Sequence, residues 1–363
     1  MNWLVFGSLQ ATDVYMDLHF KQDLLTDYIS SQEYNGLGTF SYGLDLAGND
    51  VTEYRALPFA HLPWKFRRIG CQWLLELERH QPKMAQERVS RLTNDFLKWI
   101  EGRNFDAFFT RELFTFSPSQ LEELSNHFSV RAIWLSWSPG RTQAANYADY
   151  LKHFTHIYLI DPDGVNLLIE EGFNAFYLPL ALSDFCVHTT IRENRYPIGF
   201  IGTIYPNRMQ LLCSFNSELL SFWAPNFESD TAVMYPELNS SYMGGVWGKS
   251  MLEAMGQVEV LINPVHRSYM MGQSDNVTNF RNFESLGEYT FQLSEYKPSI
   301  REIFDETEVA TYSNLDELND KVSYFLKRPQ ERQKMVSKAR NKVVSDHLYS
   351  HRMKQIVNSI NSD

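Results

Sequence analysis

Arg281 and Glu284 stand three residues apart in "NVTNFRNFESLGEYTFQLSEY" (Asn276 to Tyr296), a run that otherwise reads as buried helix, tight turn and strand. Residues at this spacing share a helix face, so the plain reading is an exposed ion pair on the polar side of that helix. A second stretch with chemical potential is "YPIGFIGTIYPNRMQLL", where a strand runs into a glycine turn and then a helix. Gly199 and Gly202 lie on the strand edge and Arg208 in the first helical turn. Helix N-terminal N–H groups attract an anion, glycine lets the backbone approach it, and arginine supplies a fork of donors, a combination that suits phosphate. The same glycine pair also serves as an ordinary tight connection. Asn263 and His266 follow "VEVLI", at the carboxyl end of a predicted strand, where open α/β sheets hold their ligands. Trp134, Trp137 and Tyr205 either stack on a sugar or base or fill the core.

The elements that must position these residues follow an α/β pattern: short apolar runs that read as buried parallel strands, each followed by a helical or polar segment. In the first half the runs are "NWLVFG", "FDAFFT", "RAIWLSW" and "HIYLI"; in the second they are "IGFIGT", "TAVMY", "QVEVLINPV", "YTFQLS" and "EVATY". Ser117, Pro118 and Gln120 form a capping box with proline in the first turn of one helix. A second helix runs from about Asp163 and stops at Gly172, and a third, with Val89, Leu92, Phe96, Leu97 and Ile100 at helical spacing, packs on the first sheet. The polar stretch "SDFCVHTTIRENRYP" (Ser183 to Pro197) reads as an interdomain linker. The expectation is two Rossmann-like domains, 1–186 and 187–345, facing each other across a cleft, with a C-terminal helix in 346–363 packing back toward the first.

A chain of 363 residues, 44% hydrophobic, is long enough for two cores. Its net charge of -11 disfavours a constitutive nucleic-acid binder, since phosphate neutralisation supplies most of that affinity. Only "KFRR" (Lys65 to Arg68) offers a local basic patch. Cys71, Cys186 and Cys213 are far apart and form no C-x-x-C pair, so neither a disulfide framework nor a zinc site is indicated. No secretory signal and no apolar stretch of bilayer-spanning length is visible, and a cytoplasmic location is expected.

From Tyr196 to about Met353 the chain resembles the group-1 glycosyltransferases of the spore-maturation (CgeB-like) type. The resemblance is carried by "GFIGT...R" (Gly199 to Arg208), "WGKSMLEAM" (Trp247 to Met255), "LINPVHR" (Leu261 to Arg267), "FRNFESLGEYTFQLS" (Phe280 to Ser294) and the helical ending from "EIFDETEVATY" onward. It implies the GT-B fold and an enzyme whose second domain holds a nucleotide-diphosphate sugar while the first presents the acceptor. By this resemblance Glu284 accepts hydrogen bonds from the ribose hydroxyls of the donor, a role suited to a group with two acceptor oxygens and no donor. Arg281 offsets diphosphate charge, and the turn at Gly202 and Thr203 with Arg208 grips the pyrophosphate. Gly287 offers backbone N–H groups to the same ligand. His266 contacts the diphosphate or sugar, or caps a neighbouring element; Lys249 reaches the pyrophosphate or stands on the surface. The loop "GSLQATDVYMDLHF" after the first strand lines the cleft, with Asp13 and His19 as acceptor-side groups. An inverting transfer needs a base within reach of the acceptor hydroxyl, a task for Asp13 unless it caps the following helix.

Two positions depart from the family pattern. Asn276, with Asp275 beside it, stands where many retaining relatives are acidic, and Glu288 replaces the small residue often found after Gly287. No D-x-D motif occupies a strand end, and "DPD" (Asp161 to Asp163) reads as a helix cap, so no metal or other cofactor is expected besides the donor substrate. Two rival readings remain open: a nucleotide-sugar or carbohydrate-binding protein without turnover, and a transferase acting on a nucleic-acid base hydroxyl.

Overall fold

The computed structural model describes residues 1–8, 37–56, 82–136, 147–187, 191–224, 227, 229–246, 248–265 and 276–362. Its first half is a six-stranded parallel sheet of β1 (Asn2–Ser8), β2 (Asp50–Ala56), β3 (Ala107–Thr110), β4 (Val130–Leu135), β5 (His156–Leu159) and β6 (Ala175–Tyr177), in the order β2-β1-β3-β4-β5-β6. The helices α1 (Leu37–Leu46), α2 (Pro82–Ile100), α3 (Pro118–His127) and α4 (Pro162–Glu170) alternate with these strands. Trp3 to Phe6, Ala107 to Phe109, Ala132 to Leu135 and Ile157 to Leu159 are buried without interruption, because parallel strands covered on both faces need apolar side chains on both. The Ser117 hydroxyl accepts from Gln120 N and the Gln120 side chain accepts from Ser117 N, closing the capping box at α3. Asp161 caps α4 by accepting from the N–H groups of Asp163 and Gly164, which gives "DPD" its structural role.

The second half is a five-stranded parallel sheet ordered β11-β10-β9-β7-β8. Its strands are β7 (Tyr196–Ile201), β8 (Leu220–Trp223), β9 (Val258–Asn263), β10 (Gln292–Glu295) and β11 (Ala310–Tyr312). The helices of this half are α5 (Pro206–Leu212), α6 (Ser229–Met234), α7 (Gly248–Met255), α8 (Arg281–Gly287), α9 (Pro298–Ile303) and α10 (Leu315–Leu326), followed by α11 (Pro329–Asp346) and α12 (Tyr349–Ser362). One expected strand is corrected: "TAVMY" lies mostly in α6, and "LSFW" is the strand instead. Val233 is 79% exposed, so this short apolar run is not an interior strand, and periodicity alone does not separate the two for so few residues. Gly199 is required within β7, since a Cβ there would come within 2.5 Å of the Val258 side chain on neighbouring β9.

A shared core joins the two sheets, with Trp3, Phe40 and Trp134 in the same cluster as Phe283, Leu286, Tyr349 and Met353. The chain returns to the first domain at the α11–α12 junction. Leu182 N donates to His347 O at 2.9 Å and Tyr349 N to Leu182 O at 3.0 Å, a short parallel bridge that sets α12 against the first domain. The Tyr158 and Ser359 hydroxyls are 2.6 Å apart along the same seam. The start of the expected linker belongs to the seam too: Ser183 and Cys186 are buried around a short 3-10 turn.

His347 makes this seam sensitive to acid. Arg352 Nη2 donates to its Nδ1 at 2.8 Å, and the ring lies near those of Phe283 and Phe304. Burial and the neighbouring Arg352 charge push the imidazole down to about 4. A histidine in the unfolded chain titrates near 6.5. As pH falls from about 6.5 to 4, therefore, the unfolded chain takes up the proton first and the native state loses stability. The ring is partly exposed, which limits the effect to roughly 1–2 kcal/mol. We expect urea unfolding of His347→Gln to show a correspondingly shallower loss of stability across that window than the parent; identical pH profiles would contradict this.

Candidate functional site

In each sheet the chain changes direction beside its first strand, creating the crevice in which open α/β sheets bind ligands. In the second sheet this crevice lies between β7 and β9, and the residues after both strands converge there. The backbone turns at Gly202, whose φ of 153° favours glycine. Its N–H donates to Trp223 O at 3.0 Å, so this particular amide is held by β8. Arg208 folds back over the turn: Nη1 donates to Thr203 O at 2.7 Å and Nη2 to Pro264 O at 2.9 Å, stapling the loop after β7 to the loop after β9. Burial lowers the Arg208 pKa to about 10, with the nearby charge of Arg281 adding to the shift, so the guanidinium stays cationic at neutral pH.

Helix α8 supplies the other half of the cluster, and nearly all of it is buried, Asn282 to Gly287 inclusive. Asn279 and Asn282 cap its start reciprocally, each side-chain oxygen accepting from the other's backbone N–H at 3.3 and 2.9 Å. Behind the helix runs a buried amide and hydroxyl network. Asn263 exchanges two hydrogen bonds with Asn279, at 3.1 and 2.8 Å, and donates to Ser294 Oγ at 2.8 Å; Asn282 Nδ2 donates to Gln292 Oε1 at 3.0 Å and to Ser294 Oγ at 2.7 Å. Fully paired polar networks in a low-dielectric core fix one arrangement, here the orientation of α8 on the sheet. The Asn263 amide, expected at the donor, is thus taken up by the scaffold.

This network aims Arg281 and Glu284 at the end of β7. Arg281 Nε donates to Ile201 O at 3.2 Å, next to Gly202, and Nη1 pairs with the Glu284 carboxylate. The exposed-pair reading is corrected: Glu284 is only 3% exposed, because its helix is packed between the sheet and the seam rather than lying on the surface. Two cations and one carboxylate therefore meet at the glycine turn, a combination able to hold an anion beside a group rich in hydroxyls.

Other residues singled out in the sequence have surroundings of their own where the structure describes them. Gly287 lies where a Cβ would come 2.8 Å from Cys186 O and 3.0 Å from Leu182 Cδ1, so it permits close packing of α8 on the seam. Glu288 is buried and pairs with Arg192 at 3.3 Å. Asn276 Oδ1 accepts from Ser299 N at 2.8 Å, capping α9. Trp134 is a core residue, its Nε1 donating to Leu178 O at 3.0 Å. Asp13, His19, His266, Arg267, Trp137 and "KFRR", together with the Lys249 side chain, lie outside the described residues. Among the described residues no group of three or more His, Cys, Asp or Glu side chains could hold a metal ion, and no helix is long and apolar enough to cross a membrane.

Two residues that the sequence does not single out lie against Phe40 and Trp134 in the first domain. Arg111 directly follows β3, beside the β1/β3 crevice of the first sheet, and Tyr349 opens α12. A lone arginine immediately after the apolar run "FDAFFT" is the signal that marks the first. For the second the sequence carries none, since a tyrosine in an amphipathic helix looks like any core aromatic.

Residues 208–358 match a family model described as glycosyl transferase-like. No curated protein matches the chain. Among solved structures, sucrose-phosphate synthase from Thermosynechococcus elongatus superposes with a TM-score of 0.66 at 11% identity, over 100% of this chain and 98% of that one. Anabaena HepE, solved with UDP and glucose, gives 0.59 at 9% identity over 100% of both chains. S. aureus TarM, solved as a mutant with fondaparinux, alpha-GlcNAc-glycerol and UDP, gives 0.54 at 10% identity over 74% of this chain and 58% of that one, so this chain spans little more than half of TarM. Likeness at such identities is likeness of fold. Two parallel-sheet α/β domains with the C-terminal helix returning to the first domain form a GT-B fold, and its second domain carries the glycosyl transferase-like match.

Proposed function

We propose that this chain is a GT-B glycosyltransferase of the CgeB-like type that moves a sugar from a nucleoside-diphosphate sugar to an acceptor hydroxyl without a metal ion. The observation that carries the proposal is the meeting of Arg208, Arg281 and buried Glu284 around the Gly202 turn. Breaking the anomeric C–O bond leaves its electron pair on the departing diphosphate. Fixed cations favour that charge more in the transition state than in the ground state. Arg208 and Arg281 supply them, and Glu284 accepts from the ribose hydroxyls. Asp13 and His19 are the proposed acceptor-side groups, with Asp13 taking the acceptor proton. HepE and TarM were both solved with UDP, which makes uridine the first nucleotide to try.

The test is a thermal-shift series with UDP-, GDP-, dTDP- and CDP-sugars in EDTA. A ligand at a hundred times its Kd should stabilise the fold by about 2.7 kcal/mol. Failure of every nucleotide to raise Tm would reject the donor assignment; transfer abolished by EDTA and restored by Mn²⁺ would reject metal independence. A binding-only variant of this reading has one observation in its favour, the use of Asn276 as a cap for α9. Donor hydrolysis or transfer in the parent protein that is lost in Arg208→Ala would exclude it.

A further inference from the structure

Arg111 and Tyr349 come together from distant parts of the chain. The Arg111 guanidinium lies 5.5 Å from the Phe40 ring, 5.6 Å from Trp134 and 5.8 Å from Phe280, the last being the residue before α8. Its Nε is buried with no hydrogen-bond partner among the described residues, and the same holds for the Tyr349 hydroxyl, whose residue is 0% exposed. The Tyr349 ring packs against two of the same side chains, its centroid 5.4 Å from that of Phe40 and 5.5 Å from that of Trp134, and burial pulls the Arg111 pKa down and pushes that of Tyr349 up. Because Phe280 is the N-cap of α8, the pair adjoins the cluster there.

A guanidinium has five N–H donors, and each buried donor without a partner costs about 1–3 kcal/mol, more when charged. Stacking on aromatic faces returns about 0.5–2 kcal/mol and satisfies no N–H. Arg208 shares an unpaired Nε, but its Nη atoms donate to the carbonyls of Thr203 and Pro264, and Arg281 donates to that of Ile201. A half-buried cation and a buried phenol that share Phe40 and Trp134, with polar atoms unpaired among the described residues, fit a ligand that brings its own acceptor oxygens.

We propose that Arg111 and Tyr349 bind an oxyanion, phosphate or carboxylate, carried by the acceptor, so that the enzyme glycosylates an anionic acceptor. The assignment to the acceptor rests on the glycosyltransferase reading above: Arg111, Phe40 and Trp134 belong to the first domain, whereas the donor-side cations stand at the end of β7 in the second. Planar guanidinium matches either oxyanion through two parallel N–H···O bonds, with the phenol O–H as a third donor.

The experiment titrates inorganic phosphate into the full chain saturated with UDP, in the parent and in Arg111→Gln, and titrates UDP into both. Phosphate binding should weaken at least about tenfold in the variant, as for loss of a charge-assisted hydrogen bond, while UDP affinity changes less than about threefold. No phosphate binding to the parent, equal phosphate binding in both proteins, or a tenfold loss of UDP affinity in the variant would each overturn the proposal, the last by placing Arg111 on the donor. Arg111→Met separates a ligand role from a structural one. Removing a desolvated, unpartnered charge should leave Tm unchanged or raised, and a drop of several degrees would mark Arg111 as a packing residue and overturn the proposal. If UDP and the other nucleotides do not bind the parent at all, the donor reading fails. The phosphate titration on nucleotide-free protein then judges the Arg111 site alone, and loss of binding in Arg111→Gln still supports it.

Discussion

Glu284→Gln is expected to weaken nucleoside-diphosphate binding by about 10- to 100-fold while the protein stays folded. The carboxylate is buried, paired with Arg281, and held at the glycine turn by a helix whose own orientation is fixed by the Asn263–Asn279–Asn282 network. A hydrogen bond to a charged group contributes roughly 1.5–3 kcal/mol, and each 1.4 kcal/mol is a factor of ten in affinity. Glutamine keeps the shape and one acceptor oxygen, so the packing of α8 survives while the second acceptor and the charge are lost. The competing account makes the pair a purely structural brace, worth stability alone. Calorimetric titration of UDP alongside thermal melting separates the two. A folded Glu284→Gln protein with parental UDP affinity would remove the ribose assignment, whatever its Tm.

The largest stability loss is expected at Arg352. Its side chain is 2% exposed and donates to Pro179 O at 2.8 Å, Leu180 O at 3.2 Å and His347 Nδ1 at 2.8 Å, with longer bonds to Asp346 O and Gln355 Oε1 at 3.4 Å each. One guanidinium therefore ties α12 to the segment leading out of the first domain. Burial brings its pKa down to about 10, which leaves it charged at neutral pH. Methionine fills the volume and abandons the carbonyls. Breaking such a buried network typically costs about 3–5 kcal/mol. Arg352→Lys should recover little, because a single ammonium on a flexible stem does not span carbonyls in the fork geometry. Urea unfolding of Arg352→Met measures the loss, and a change below about 1 kcal/mol would show that solvent replaces the bonds.

The strands legible in the sequence are mostly interior ones. β1, β3, β4, β5, β7, β9 and β10 are neighboured on both sides, and their runs are apolar because both faces are covered. The three strands that escape a reading of apolar runs, β2, β6 and β8, are all sheet edges. "DVTEYRA" in β2 has Val51 to Tyr54 half-buried, and β6 is only three residues long, so neither presents the continuous hydrophobic signal of an interior strand. β11 is the edge that is legible, its three residues being buried throughout. Caps are also legible, at Ser117 and Asp161, since a cap is satisfied within one helical turn.

The local pieces of the donor side are legible along the chain: the glycine turn with Arg208 and the three-residue spacing of Arg281 and Glu284 follow from geometry that spans one turn of chain. It took the packed fold to make Glu284 interior, to absorb the Asn263 amide in a buried network, and to bring Arg111 and Tyr349 together on Phe40 and Trp134. Burial and pairing depend on which segments the fold brings together. Those segments lie far apart along the chain, and no local pattern records the meeting.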